Sequence, residues 1–228
     1  DKSDLLKILK KLKKFKINNF KKLDLALLSD SSTQYLDKFI KATAFENKLN
    51  IKIWNAPINQ IEQQVFNKES HFNKNNYDLT IIFESTHSLL RKYNQSNYKD
   101  TFSNVQFKRI TDYLKELIKT KNNIILFNFY EINDYVFGNY SSLIETSFIF
   151  QLRKINFLLS DYLKNIDQVR ILDVSTISNS IGSSNIFDAS LYINYDMVFN
   201  IEGNYEISKK TMDLILSKNS FFNKCIIL

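Results

Sequence analysis

A serine, a histidine and two carboxylates stand where apolar runs of this chain give way to polar loops. Ser31 lies in Ser29-Asp30-Ser31-Ser32-Thr33, and His87 closes Glu84-Ser85-Thr86-His87. A serine hydroxyl becomes a nucleophile when a base stands within hydrogen-bond reach and a third group orients that base. Ser31 as nucleophile, His87 as base and Glu84 or Asp30 as orienter supply the right types. The same residues have a plainer reading. Serine before a helix caps its free N–H groups, and His87 is then a solvated loop residue. Asn55 and Asn128 end two further apolar runs. With Asp30 they are candidate substrate-binding groups.

Other chemistries are poorly served. His71, the second of two histidines, follows Glu69-Ser70 in a polar segment and reads as surface loop. Two histidines and one cysteine are too few for a His/Cys metal site. No cluster of acids suggests bound magnesium. The expectation is therefore no metal and no cofactor in this chain. Three glycines and one proline argue against a Gly-rich phosphate loop. The single cysteine, Cys225, excludes an internal disulfide and sits in an apolar run.

The elements that must position these residues alternate. Apolar runs at 23–28, 51–54, 77–83, 123–129 and 169–174 read as strands. Between them, helical spacing places Tyr35, Leu36, Phe39, Ile40 and Ala44 on one face, and Ile61 and Val65 on another. A loop and a helix carrying Ile110, Leu114, Leu117 and Ile118 fill 86–121. A long helix covers 141–165 and a last one 204–218. This predicts an α/β fold, a three-layer α/β/α sandwich with a mainly parallel five-stranded sheet. Ligands of such sheets bind beyond the carboxyl ends of the strands. If the strand order is 2-1-3-4-5, the first and third strands are neighbours and Ser31 faces His87.

Charge is concentrated at one end. Residues 1–22 hold nine lysines against Asp1 and Asp4, which equals the whole chain's net charge of +7. Leu5, Leu6, Ile8, Leu9, Leu12 and Phe15 recur at helical spacing among them. We expect residues 1–22 to be a basic amphipathic arm and 23–222 the α/β domain. The chain closes on Lys224-Cys225-Ile226-Ile227-Leu228, which reads as a strand cut short. Residues 223–228 are then the first strand of a further domain. No run is long and apolar enough to span a membrane and no secretory leader is visible, so cytoplasmic is the default reading.

Several blocks resemble the N-terminal region of FkbH-like proteins. Residues 25–33 look like its opening strand and loop, and Trp54-Asn55-Ala56-Pro57-Ile58-Asn59-Gln60 is similar to its Pro-Phe-x-Gln segment. Asn128-Phe129, Gly138-Asn139, Asn156, Leu172-Asp173-Val174, Gly182 and Phe187-Asp188 follow in the family's order. The terminal Lys-Cys-Ile-Ile-Leu resembles the run that leads into the Asp-Leu-Asp-x-Thr motif of a haloacid-dehalogenase-type (HAD) domain. The resemblance implies an SGNH-hydrolase-like domain, flavodoxin-like in architecture, ahead of a HAD-type phosphatase or phosphoglyceryl-transfer domain that uses magnesium. In SGNH hydrolases a Gly-Asp-Ser loop supplies the nucleophile, and a late Asp-x-x-His the remainder of the triad. Here Ser29-Asp30-Ser31 has serine for glycine. The Gly-x-Asn-Asp block is not preserved near 84–87. The late block, Asp196-Met197-Val198-Phe199, has phenylalanine where histidine is needed.

Two functions follow. One is a non-catalytic domain that positions substrate, or an acidic acyl carrier protein held by the lysine-rich arm, for the HAD-type domain. The other is an SGNH-type esterase or acyltransferase using Ser31. Nucleic-acid binding ranks low, because the body beyond residue 22 is charge-neutral and carries no recognisable module. Surface attachment of the arm to a membrane also ranks low.

Overall fold

A computed structural model describes residues 20–121, 123–132 and 134–218. The lysine-rich helix expected over 4–17 and the apolar run at 223–228 lie outside the described residues.

The first strand, β1 (Lys21–Ser29), becomes buried toward its carboxyl end. It already includes Lys21 and Lys22, which the sequence reading assigns to the arm. Next come α1 (Gln34–Glu46), β2 (Leu49–Asn55), α2 (Ile61–Phe66), α3 (His71–Lys74) and β3 (Leu79–Phe83). Then follow α4 (Thr86–Gln95), α5 (Phe102–Thr120), β4 (Ile124–Phe127), α6 (Phe148–Leu163) and β5 (Val169–Leu172). The described chain closes with α7 (Val174–Ile181), α8 (Ala189–Tyr195) and α9 (Ile201–Lys218).

The sheet has five strands in the order β2-β1-β3-β4-β5, all parallel. Leu25 pairs with Ile53 on one side and Leu79 on the other, and Ile81 with Ile125. Side chains alternate across the sheet, which divides the core in two. Leu23, Leu25, Leu27, Ile81, Phe83 and Phe127 pack under α1, α7 and α9. Ala26, Leu28, Ile82, Ile124 and Leu126 pack under α2 to α6. Both faces are covered, so the strands read as continuous apolar runs rather than alternating ones.

Several helical regions differ from the sequence reading. Residues 86–95 form α4, held by Ser85, whose hydroxyl accepts from Ser88 N. The long helix expected over 141–165 begins only at Phe148, where Ser147 caps it, after a 3-10 turn at Gly138–Ser142. The fifth strand stops at Leu172, because Asp173 caps a helix from Val174. His71 also leaves its expected loop: it opens α3 and stacks on Trp54, with ring centroids 4.7 Å apart.

Candidate functional site

The carboxyl ends of β1 and β3 meet, as the strand order requires. Asp30 N donates to Phe83 O at 3.3 Å. In return Asp30 Oδ1 accepts from Ser85 N at 2.9 Å, latching the two loops together. Asp30 is only 8% exposed, and its Oδ2 has no hydrogen-bond partner. Burial, reinforced by the nearby Glu84 charge, raises its pKa from 3.8 to about 6.

Ser31 is 1% exposed. Its N–H donates to Ser29 Oγ at 3.0 Å, and the two hydroxyl oxygens lie 3.3 Å apart. The residue that caps α1 is Thr33, without a side-chain cap bond, so Ser31 does not take the capping role. Ser29 thus supplies the hydroxyl that Ser31 faces.

His87 sits in the first turn of α4 and is half-buried, not solvated in a loop. Its Nδ1 lies 2.7 Å from the Tyr130 hydroxyl, and its ring stacks on Tyr192 at 4.3 Å. Burial lowers the His87 pKa and raises that of the Tyr130 phenol well above its usual value. The phenol therefore stays protonated, and burial biases the imidazole toward its neutral form.

Glu84 points to the other side of the sheet. Its Oε2 accepts from Arg109 Nη2 at 2.5 Å and from Lys92 Nζ at 3.3 Å, and its Oε1 from the Tyr113 hydroxyl at 2.8 Å. Burial alone would raise its pKa, but Arg109, Lys92 and Tyr113 outweigh it and hold the carboxyl at about 2. Arg109 also bonds Glu62 Oε1 at 2.8 Å, so this network ties β3 to α2, α4 and α5.

The two asparagines are turned to neighbouring elements. Asn55 is exposed; its Oδ1 accepts from Thr33 Oγ1 at 3.3 Å and its Nδ2 donates to Asp37 Oδ2 at 2.7 Å. Asn128 donates to Asp173 Oδ1 at 2.7 Å and accepts from Val174 N at 2.8 Å. It fixes the start of α7.

The late block comes back to the same strand ends. Asp196 O accepts from Ser32 N at 2.9 Å. Phe199 is 3% exposed and packs on Phe83 with ring centroids 5.0 Å apart. It also bridges Phe187 in antiparallel fashion.

The structure therefore brings Asp30, Ser31 and His87 to one end of the sheet, with Tyr130 and Tyr192 around the imidazole. It directs Glu84 and Asn128 elsewhere. Among the described residues no hydrogen bond joins Ser31 to His87, or Glu84 to His87. Tyr130 stood in the sequence as part of a strand end, without a partner to mark it. Tyr192 carried no signal, because the helix that presents it was not legible. Among the described residues no group of His, Cys, Asp or Glu is arranged to hold a metal ion. No helix there is long and apolar enough to cross a membrane.

Comparisons with known proteins agree with this architecture. The family described as FkbH, N-terminal domain, matches residues 24–216. The chain is similar to the N-terminal part of the protein BF1531 from Bacteroides fragilis, a structure containing a phosphatase domain and complexed with Mg. That match has 31% identity and a TM-score of 0.88, and covers 96% of this chain and 58% of that one. The chain thus spans a little over half of the BF1531 structure. It also resembles a GDSL-like lipase structure from Parabacteroides merdae, at 15% identity, a TM-score of 0.57 and coverage of 88% and 98%. Axe2, an acetylxylan esterase from Geobacillus stearothermophilus, aligns at 13% identity, a TM-score of 0.55 and coverage of 86% and 95%. At these last identities the likeness is one of fold. No curated protein matches the chain. The chain belongs to the FkbH N-terminal domain family and has an SGNH-hydrolase-like α/β fold.

Proposed function

We propose that this chain is a degenerate SGNH-like domain that does not hydrolyse esters itself. It positions a substrate or an acyl carrier protein for a HAD-type phosphatase or phosphoglyceryl-transfer domain of a longer protein. One observation carries the first half of this reading: the Ser31 hydroxyl faces Ser29, not a base. A serine without a base is a weak nucleophile. His87 is occupied at Nδ1 by Tyr130, and the late-block position holds the buried Phe199.

The second half is supported by the similarity to BF1531, whose structure contains a phosphatase domain with Mg. In such a protein the magnesium belongs to the phosphatase domain. The described residues here offer no acid cluster to fit it. The lysine-rich segment, residues 1–22, supplies the charge that would attract an acidic carrier.

Ester turnover by the full-length protein and its Ser31→Ala variant tests the first half. Equal rates are expected. A loss of turnover in Ser31→Ala would establish the esterase reading instead. Charge reversal at Lys10, Lys13 and Lys14 tests the second half. It should weaken binding to an acidic acyl carrier protein in a salt-dependent way. Unchanged binding would remove the arm from the account.

A further inference from the structure

We propose that residues 188–197 form a lid over the Asp30–Ser31–His87 site, hinged on a rigid neck and opening as a unit. This goes beyond the positioning role above and stands whether or not a carrier binds.

The neck is tight. Phe187 and Phe199 pair across it, and Asn200 N donates to Ile186 O at 2.8 Å. Gly203 lies against the same carbonyl: a Cβ there would come within 2.6 Å of Ile186 O. Ile186, Val198 and Phe199 are all buried. A surface loop whose ends are held this closely is a compact module, able to move as one piece.

The segment beyond the neck is loosely held. No residue of α8 is buried. Its outer face shows Ile193 to solvent. Its own fold is internally secured: Asp188 Oδ1 accepts from Ser190 N at 2.9 Å, and Met197 N donates to Leu191 O at 3.2 Å. Attachment to the body is concentrated at Tyr192, which packs against the edge of the core, and at one backbone bond. Tyr192 stacks on His87, and Asp196 O takes the Ser32 N–H. A groove of about 480 Å³ runs along the seam, between Ser32 and Tyr35 on the body and Leu191, Tyr195 and Met197 on the lid. A segment with few buried contacts and an unfilled seam opens at low cost.

What the lid covers is the candidate site. The Tyr192 phenol lies over His87, beside Ser85 and within electrostatic reach of Asp30. Ser31 is flanked by Asp30 and by Ser32, whose N–H holds Asp196. Tyr192 is therefore a plug, and its removal would uncover the strand ends to a ligand.

Two measurements on the full chain test this. The first is amide hydrogen exchange of the unmodified protein. Ser32 N–H is protected by the lid, whereas Asp30 N–H is protected by Phe83 within the body. Ser32 is expected to exchange at least about tenfold faster than Asp30, through local opening. Exchange of both at the rate of global unfolding would overturn the lid.

The second is thiol labelling of Ser31→Cys in a Cys225→Ser background, with a small aromatic disulfide as the probe. Labelling should be insensitive to urea below the unfolding transition, because local opening exposes little surface. Adding Asp188→Ala, which removes the cap that holds α8, should speed it about fivefold. Labelling that follows the urea dependence of global unfolding, and ignores Asp188→Ala, would overturn the proposal.

Discussion

The Tyr130 hydroxyl lies 2.7 Å from His87 Nδ1, against an imidazole whose pKa burial already lowers. A donor bound to the neutral imidazole disfavours its protonation, in addition to the effect of burial. Tyr130→Phe should therefore raise the His87 pKa toward its ordinary value of 6.5. An NMR titration of the imidazole resonances measures it directly. A pKa that stays put, or falls, would mean the phenol is not the donor.

Asp30 makes the opposite kind of prediction, one about stability. Its folded pKa, about 6, lies above the ordinary 3.8, so the folded state binds this proton more tightly than the unfolded chain does. Stability from this group is fully present below pH 3.8 and lost as pH rises through 6. Asp30→Asn mimics the protonated form and keeps the oxygen that accepts from Ser85 N. It should stabilise the protein at pH 7.5 by about 2–3 kcal/mol, with the gain fading at pH 4. Urea unfolding at the two pH values gives the difference.

Glu84 behaves in the reverse sense. Its folded pKa is depressed to about 2 from 4.5, so its contribution is present above pH 4.5 and lost as pH falls toward 2. The pair it makes with Arg109 is buried on the carboxylate side, at 4% exposure. Arg109→Ala would strand that charge and should cost about 3–5 kcal/mol. Chemical denaturation at pH 7 checks the loss. A change under 1 kcal/mol would show that Lys92 and Tyr113 suffice, on the scale of an ordinary surface pair.

Phe199→His restores the residue type that an SGNH triad would require at the late block. We expect it to cost about 3 kcal/mol in stability, because the ring packs against Phe83, Tyr130 and Phe187. No ester hydrolysis should appear, since the position is built as core. Thermal unfolding and an esterase assay give the two readouts. Gain of a Ser31-dependent rate would show that the site retains catalytic geometry.

The strand ends were legible because buried parallel strands announce themselves as apolar runs, and the turn after each collects polar residues. Leu23–Leu28 and Leu79–Phe83 could be placed, and with them the meeting of Ser31 and His87 at one end of the sheet. What each side chain does there was not legible. Glu84 and His87 are three residues apart in the sequence, yet Glu84 turns to Arg109 and His87 to Tyr130. Only the path of β3 into α4 decides that. The helix over 86–95 was obscured because Leu89 and Tyr93 are nearly its only large buried side chains. The helix carrying Tyr192 buries none, so it leaves no apolar period to read.

The inner place of β1, between β2 and β3, also bears on how the chain is made. Parallel neighbours cannot join through a hairpin, and each pairing waits for a crossover helix. Leu25 must find Ile53 and then Leu79, and only afterwards can Ile81 find Ile125. Such non-local pairing folds slowly. On the ribosome β1, β2 and β3 are made before β4, and α4 and α5 must be synthesised in between. During that interval the free edge of β3 is an unpaired apolar strand. Translation pauses after β3 has left the ribosome and before β4 has left it should therefore be where nascent chains of this protein aggregate most readily.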